Sequence, residues 1–325
     1  MQLINPTPTP KRTARALSKT TAPVNPETVV TAFVESLDVH PNSRSLYART
    51  LRLYFRWIEA QSIPMGAVTR REVLQYKEFL LSAGKSSLTV GGYLTAIRKF
   101  YEWAEACKYY PNVAKGIKTP PRAQQFKREP LSPEQAAELL TTTATPRENA
   151  LLSLLLRTGL RTIEVSRATV GDIDVKGGAR VLYVHGKGRA EKDNFVILTE
   201  KAFAPLAAYL KTRGINVGSP TAAQRAEPLF ASDSQNSKGE ALSTRSISQI
   251  AKDALRKIGL DARAYTAHSL RHTAGTNILR AGGTLEQVQF TLRHSNPATT
   301  QIYVRTELQR RRLENSGEAI LDGVF

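Results

Sequence analysis

The stretch Ile117 to Pro130, IKTPPRAQQFKREP, constrains this chain most, because no continuous helix or strand can run through it. Its three prolines each fix φ and remove a backbone donor, so the segment stays extended. Residues 117–130 therefore read as a linker, with a domain over 27–116 before it and another over 131–325 after it. The chain has 325 residues and is 41 % apolar, enough to fill two cores.

The formal charge of +18 makes a polyanion the natural partner, since a surface this basic attracts phosphate backbones at a distance. Nucleic acid comes first and an anionic membrane surface second. The linker carries Lys118, Arg122, Lys127 and Arg128 against the single Glu129. Extended, it spans about 45 to 50 Å, several times the ~12 Å width of a DNA major groove. The longest apolar run, Ala150 to Leu156, is interrupted by Ser153 and is far short of the ~20 residues of a membrane span. With no apolar segment behind its basic N-terminus, the protein is expected in the cytoplasm. Cys107 is the only cysteine, which excludes an internal disulfide.

Residues 1–26 contain Lys11, Arg12, Arg15 and Lys19, no acid and repeated Pro and Thr, and read as a disordered basic arm. Helical periodicity begins after it. In Ser45 to Glu59 the residues Tyr47, Leu51, Tyr54 and Ile58 form one face, while Arg49, Arg52 and Arg56 form another with no interleaved acid. That second face is either a solvated surface or a DNA contact, and the missing acid favours DNA. Further helices are predicted over 70–81 and 87–106, the latter burying Val90, Tyr93, Leu94, Ile97 and Tyr101.

The second domain opens with Ser132 as N-cap, Pro133 at the first helical position and Gln135 closing a capping box. An apolar helix over 149–157 ends at Gly159, and Arg161 starts a new turn with Glu164 three positions on. Two strands, 180–185 and 194–199, flank GKGRAEKD, which puts Lys187 at the tip of a hairpin. Helices follow over 201–213 and 243–258, with a loop over 214–228. The fold class is thus mainly α with a small antiparallel β-sheet.

Residues 268–303, HSLRHTAGTNILRAGGTLEQVQFTLRHSNPATTQIY, bring His268, Arg271, His294 and Tyr303 into one segment. A permanent cation, a proton carrier and a hydroxyl that becomes a nucleophile on losing its proton are the inventory for attacking a phosphate. His268 and His272, one helical turn apart, are also metal ligands in type, but no glutamate or third ligand accompanies them, and no metal or cofactor is expected. Taken singly, Arg161 is equally a helix-cap arginine, Lys187 a turn lysine beside Arg189 and Lys192, and Tyr303 a core aromatic.

TGLRTIE (158–164), GKG (186–188), HSLRH (268–272), LRH (292–294) and TTQIY (299–303) stand in the order and at the spacings of the tyrosine recombinase, or phage integrase, family, which the chain resembles over about residues 27–310. The resemblance implies an all-helical, SAM-like core-binding domain and an α+β catalytic domain with a C-terminal tail from about 308. It implies that Arg161 and Arg271 hold the pentavalent phosphate, that Tyr303 attacks it, and that His268 accepts the tyrosine proton. Lys187 would protonate the departing 5′ oxygen, His294 would bond the phosphate or hold the nucleophile, and Glu164 would orient Arg161. His272 matches a structural position. Arg293 stands where the family most often has glycine; in a left-handed conformation it would cost about 1 kcal/mol, which a phosphate contact would offset.

The reading is a site-specific recombinase forming a 3′-phosphotyrosyl intermediate on double-stranded DNA at a specific core site. The resemblance implies a monomer in solution and a homo-tetramer on DNA, with accessory DNA-bending or directionality proteins and no membrane partner. It points to a Xer-like or transposon-type member, whose basic tail ends in an apolar segment, 319–325, that docks on its own domain or on a neighbour. The alternatives are a type IB topoisomerase and a non-catalytic DNA-binding protein.

Overall fold

A computed structural model describes residues 25–121, 129–185, 192–294 and, beyond these, 296–297, 299–301, 303, 307 and 321–322. The chain divides into two compact units, Met1–Gln124 and Gln125–Phe325. The basic arm through residue 24, the centre of the linker and the hairpin tip with Lys187 lie outside the described residues, as does nearly all of the tail.

Four helices build the first unit: α1 (Pro26–Glu35), α2 (Pro41–Ala60), α3 (Arg70–Ser82) and α4 (Ser87–Ala106). Each begins where a side chain satisfies an orphan amide: Asn25 caps α1, His40 caps α2, Thr69 forms a capping box with Glu72, and Ser86 caps α4. Pro26 therefore belongs to α1 rather than to a polar arm. The core is aromatic. Phe33 packs edge-on against Phe100 with centroids 5.6 Å apart and lies 5.6 Å from Trp103, while Trp57 lies 5.2 Å from Tyr76. Tyr54 and Tyr101 meet hydroxyl to hydroxyl at 3.2 Å, which satisfies two buried polar groups with each other.

In the second unit α5 (Pro133–Thr141) starts at the Ser132–Gln135 capping box, and α6 (Pro146–Thr158) ends at Gly159, whose φ is 59°. A Cβ at Gly159 would collide with the Leu292 side chain, so this position requires glycine twice, for its backbone and for its space. Then come α7 (Thr162–Arg167), the strands β1 (Ile173–Lys176), β2 (Ala179–Val184) and β3 (Asn194–Ile197), and α8 (Glu200–Thr212), α9 (Ala222–Ala226), α10 (Thr244–Lys257), α11 (Ala267–Arg280) and α12 (Leu285–Leu292).

The sheet is antiparallel in the order β1-β2-β3, with Leu182 between Ile173 and Val196 on the core side. It has three strands, where sequence periodicity finds two. The extra strand, β1, is four largely exposed residues, too short and too wet to show alternation. The loop expected over 214–228 contains α9, announced by a Thr221–Gln224 capping box. Helices α6 and α8 carry the centre of this core, with Leu151, Leu152, Leu206 and Leu210 all fully buried. The amide of Leu131 donates to Thr273 Oγ1 at 2.9 Å, tying the start of the unit to the middle of α11.

Candidate active site

Four pieces of the second unit meet at one place: the end of α6, the start of α7, the middle of α11 and the end of α12. Arg161 is the N-cap of α7. Glu164, three residues on and 4 % exposed, accepts the Arg161 amide on Oε2 at 2.8 Å and Arg161 Nη1 on Oε1 at 2.6 Å. The arginine is thus fixed at both its backbone and its head, and its side chain keeps 27 % of its surface exposed.

Arg271 lies deeper, 2 % exposed on the inner face of α11. Its Nη1 donates to the carbonyl of Gly159 and its Nη2 to that of Leu292, so the guanidinium closes the ends of both α6 and α12. Burial, then Arg161 and Arg293, push it down to about 9, which leaves it charged at neutral pH. The two arginines are therefore unequal. Arg161 is reachable from solvent, and Arg271 is a fixed charge in the floor.

Tyr303 is 3 % exposed and packs with Ala274, Val288 and Leu292 in a small separate core, so this candidate site residue is a core aromatic as well. Gly275 lies against it, where an added Cβ would stand 2.7 Å from Tyr303 Cε1 and 2.9 Å from Leu292 Cδ1. Burial raises the phenol above its ordinary value, while Arg271 and Arg161 pull it back. His272 lies 4.9 Å from the Tyr303 ring and His294 6.0 Å from it, between centroids. His268, exposed, lies 5.5 Å from His272 in the same measure.

His294 Nδ1 is 2.9 Å from the buried Thr300 hydroxyl, which fixes the ring orientation. Burial, then the charges of Arg271, Arg161 and Arg293, hold His294 down to about 4, so it is neutral at physiological pH and works as a hydrogen-bonding group.

Arg293 is the left-handed C-cap of α12, with φ 52° and ψ 50°. Its side chain does not reach outward to an anion. It turns inward, and Nη2 donates to Glu164 Oε2 at 2.8 Å. Burial pushes the Glu164 carboxyl up, but the Arg293 charge and the bonds and charge of Arg161 together hold it below its ordinary range.

The other candidates are scattered. Arg49 and Arg56 are exposed on α2, and so is Lys118 near the end of the first unit. Arg52 is paired to Glu27 of α1 at 2.9 Å, so the arginine face has an acid that periodicity within α2 alone does not reveal. Arg122, Lys127, Arg128 and Lys187 lie outside the described residues. Sequence reasoning misses Thr300 and Gly275. The paired threonines of TTQIY and the glycine inside the helical HTAGT are the signals that could have found them.

Residues 129–310 match the family model described as Phage integrase family, and residues 31–108 match that of the Phage integrase, N-terminal SAM-like domain. The chain is 31 % identical over 283 residues to tyrosine recombinase XerC of Pelobacter propionicus, covering 84 % of this chain and 87 % of that protein. Among solved structures, XerH site-specific recombinase bound to a palindromic difH substrate superposes with a TM-score of 0.68 at 20 % identity, over 91 % of this chain and 85 % of that one. The Tn1549 transposon integrase in complex with transposon right end DNA gives 0.67 at 18 %, over 88 % and 99 %.

Proposed function

The chain belongs to the phage integrase family of tyrosine recombinases, and on that premise we propose that it is a site-specific recombinase cleaving and rejoining double-stranded DNA through Tyr303. The observation that carries the assignment is the convergence of Arg161, Arg271 and His294 on Tyr303 from separate elements. The phosphate enters beside Arg161, whose guanidinium binds it, while Arg271 stabilises the growing negative charge from below. The Tyr303 oxygen bonds to phosphorus and the P–O5′ bond breaks, leaving a 3′-phosphotyrosyl link and a free 5′ hydroxyl. His268 takes the phenolic proton, and Lys187 supplies one to the leaving oxygen. The phosphoester energy stays in the adduct, so the reverse attack by a 5′ hydroxyl needs no ATP. Neutral His294, held by Thr300, supports the phosphate or the nucleophile through a hydrogen bond.

In this reading the helical unit over 27–116 binds the core site, residues 117–130 link it to the catalytic domain over 131–325, and basic residues including Arg49, Arg56 and Lys118 contact the backbone. The protein works in the cytoplasm as a monomer that assembles into a tetramer on two DNA sites. Burial of Tyr303 requires that DNA binding bring its hydroxyl out to the phosphorus.

A nicked suicide substrate, run on a denaturing gel, tests the reaction. Wild-type protein is expected to form a covalent adduct, and Tyr303→Phe to form none while binding DNA within about 2-fold, since a hydroxyl is all it lacks. An adduct in the Phe variant sinks the nucleophile assignment. Supercoil relaxation by a monomer without recombinant products would select a topoisomerase, and binding without any adduct in the wild type would select a non-catalytic binder.

A further inference from the structure

Arg293 is a cation of the cluster that the proposed reaction leaves unused, and its backbone argues against it. The left-handed conformation at φ 52° favours glycine, and an arginine there is strained. Its guanidinium is also buried, 7 % exposed as a side chain, beside two other arginines, and its Nε has no hydrogen-bond partner among the described residues. Burial, repulsion and strain all oppose this placement. What opposes them in turn is Glu164.

A carboxylate has two oxygens and readily takes an arginine fork on both. If Glu164 held Arg161 in that way, the fork would be spent on an internal pair. Here Arg293 Nη2 joins the Arg161 amide on Oε2, each at 2.8 Å, which fills that oxygen, and the Arg161 head reaches only Oε1, through Nη1 at 2.6 Å. Arg161 Nη2 is left with the Arg293 carbonyl at 3.5 Å, at the outer limit of a hydrogen bond. We infer that Arg293 is a positioning residue for DNA cleavage: by holding the second oxygen of Glu164, it restrains Arg161 by one side-chain bond and keeps Nη2 for the scissile phosphate. The same turn presents the Leu292 carbonyl to Arg271 and the Arg293 carbonyl to Arg161, so one residue sets both phosphate-binding arginines. The inference rests on the reading of Arg161 as a phosphate ligand.

The test is single-turnover cleavage of the nicked substrate by the full chain at saturating DNA, which separates the cleavage step from affinity. Arg293→Gly is expected to slow cleavage about 10-fold or more, as misplaced groups do, with DNA affinity changed less than about 2-fold. Arg293→Lys, which keeps a donor for Glu164, should recover most of the loss. In a Glu164→Gln background the Gly substitution should change the rate by less than about 2-fold, because the two residues act through one contact. Should Arg293→Gly fail to fold, Arg293→Met, unbranched and without a donor for Glu164, is read in the same way. Wild-type cleavage by the 293 variants overturns the inference, and so does an equal slowing in the wild-type and Glu164→Gln backgrounds. An adduct in Tyr303→Phe would instead overturn the underlying assignment, whatever the 293 series shows.

Discussion

Burial and positive charge act in the same sense on His294 and in opposite senses on Tyr303, although both residues face the same two arginines. The histidine is therefore firmly neutral, while the phenol is held between two influences. This has a consequence for stability. An unfolded histidine takes up a proton near 6.5, but folded His294 does so only at about 4. As the pH falls from about 6.5 towards 4 the unfolded chain binds a proton that the folded one refuses, so the stability of the catalytic unit declines across that window. Glu164, held below its ordinary 4.5, loses its contribution only further into the acid range. His294→Gln is expected to flatten the decline in melting temperature between pH 6.5 and 4, and an unchanged slope would refute the account. The candidacy of Arg161, Arg271, His294 and Tyr303 is legible in the sequence because it belongs to side-chain types at set spacings. The destination of Arg293 is not, since its partner Glu164 lies 129 positions away and only the packed fold joins them.

Helix α11 shows how an element makes room for its neighbours through what it leaves out. Glycine inside a helix is unfavourable by about 0.5 to 1 kcal/mol relative to alanine, so Gly275→Ala would stabilise an isolated helix. In this one the new Cβ would stand 2.7 Å from Tyr303 and 2.9 Å from Leu292. Overpacking of this kind costs about 1 to 3 kcal/mol, which outweighs the helix gain. Gly275→Ala is accordingly expected to lower the melting temperature and to shift the ultraviolet titration of the displaced tyrosine; a more stable variant with an unaltered tyrosine spectrum would show that α11 yields without strain. Elements of this length are well signalled in the chain itself. The helix predicted over 87–106 is α4, and the Ser132, Pro133 and Gln135 start is that of α5. The short pieces are not signalled by periodicity. Strand β1 draws its stability from pairing with β2 rather than from its own four residues, and α9 is only five residues long.

At the scale of the whole molecule the chain comprises two compact units with separate cores, one aromatic and one built on leucine. Separate cores predict separate unfolding, so denaturation should depart from a single two-state transition. The aromatic packing of the first unit makes that readable without a label. The chain has two tryptophans, Trp57 and Trp103, and both belong to the helical unit. Their fluorescence reports that unit alone, whereas far-ultraviolet circular dichroism sums the helices of both. The two signals are expected to give different midpoints in a guanidinium titration, and coincident curves at every concentration would mean that the units melt as one. The placement of two indole rings thus gives the native protein an optical probe confined to its first unit, against which every substitution in the second can be checked for effects that stay local.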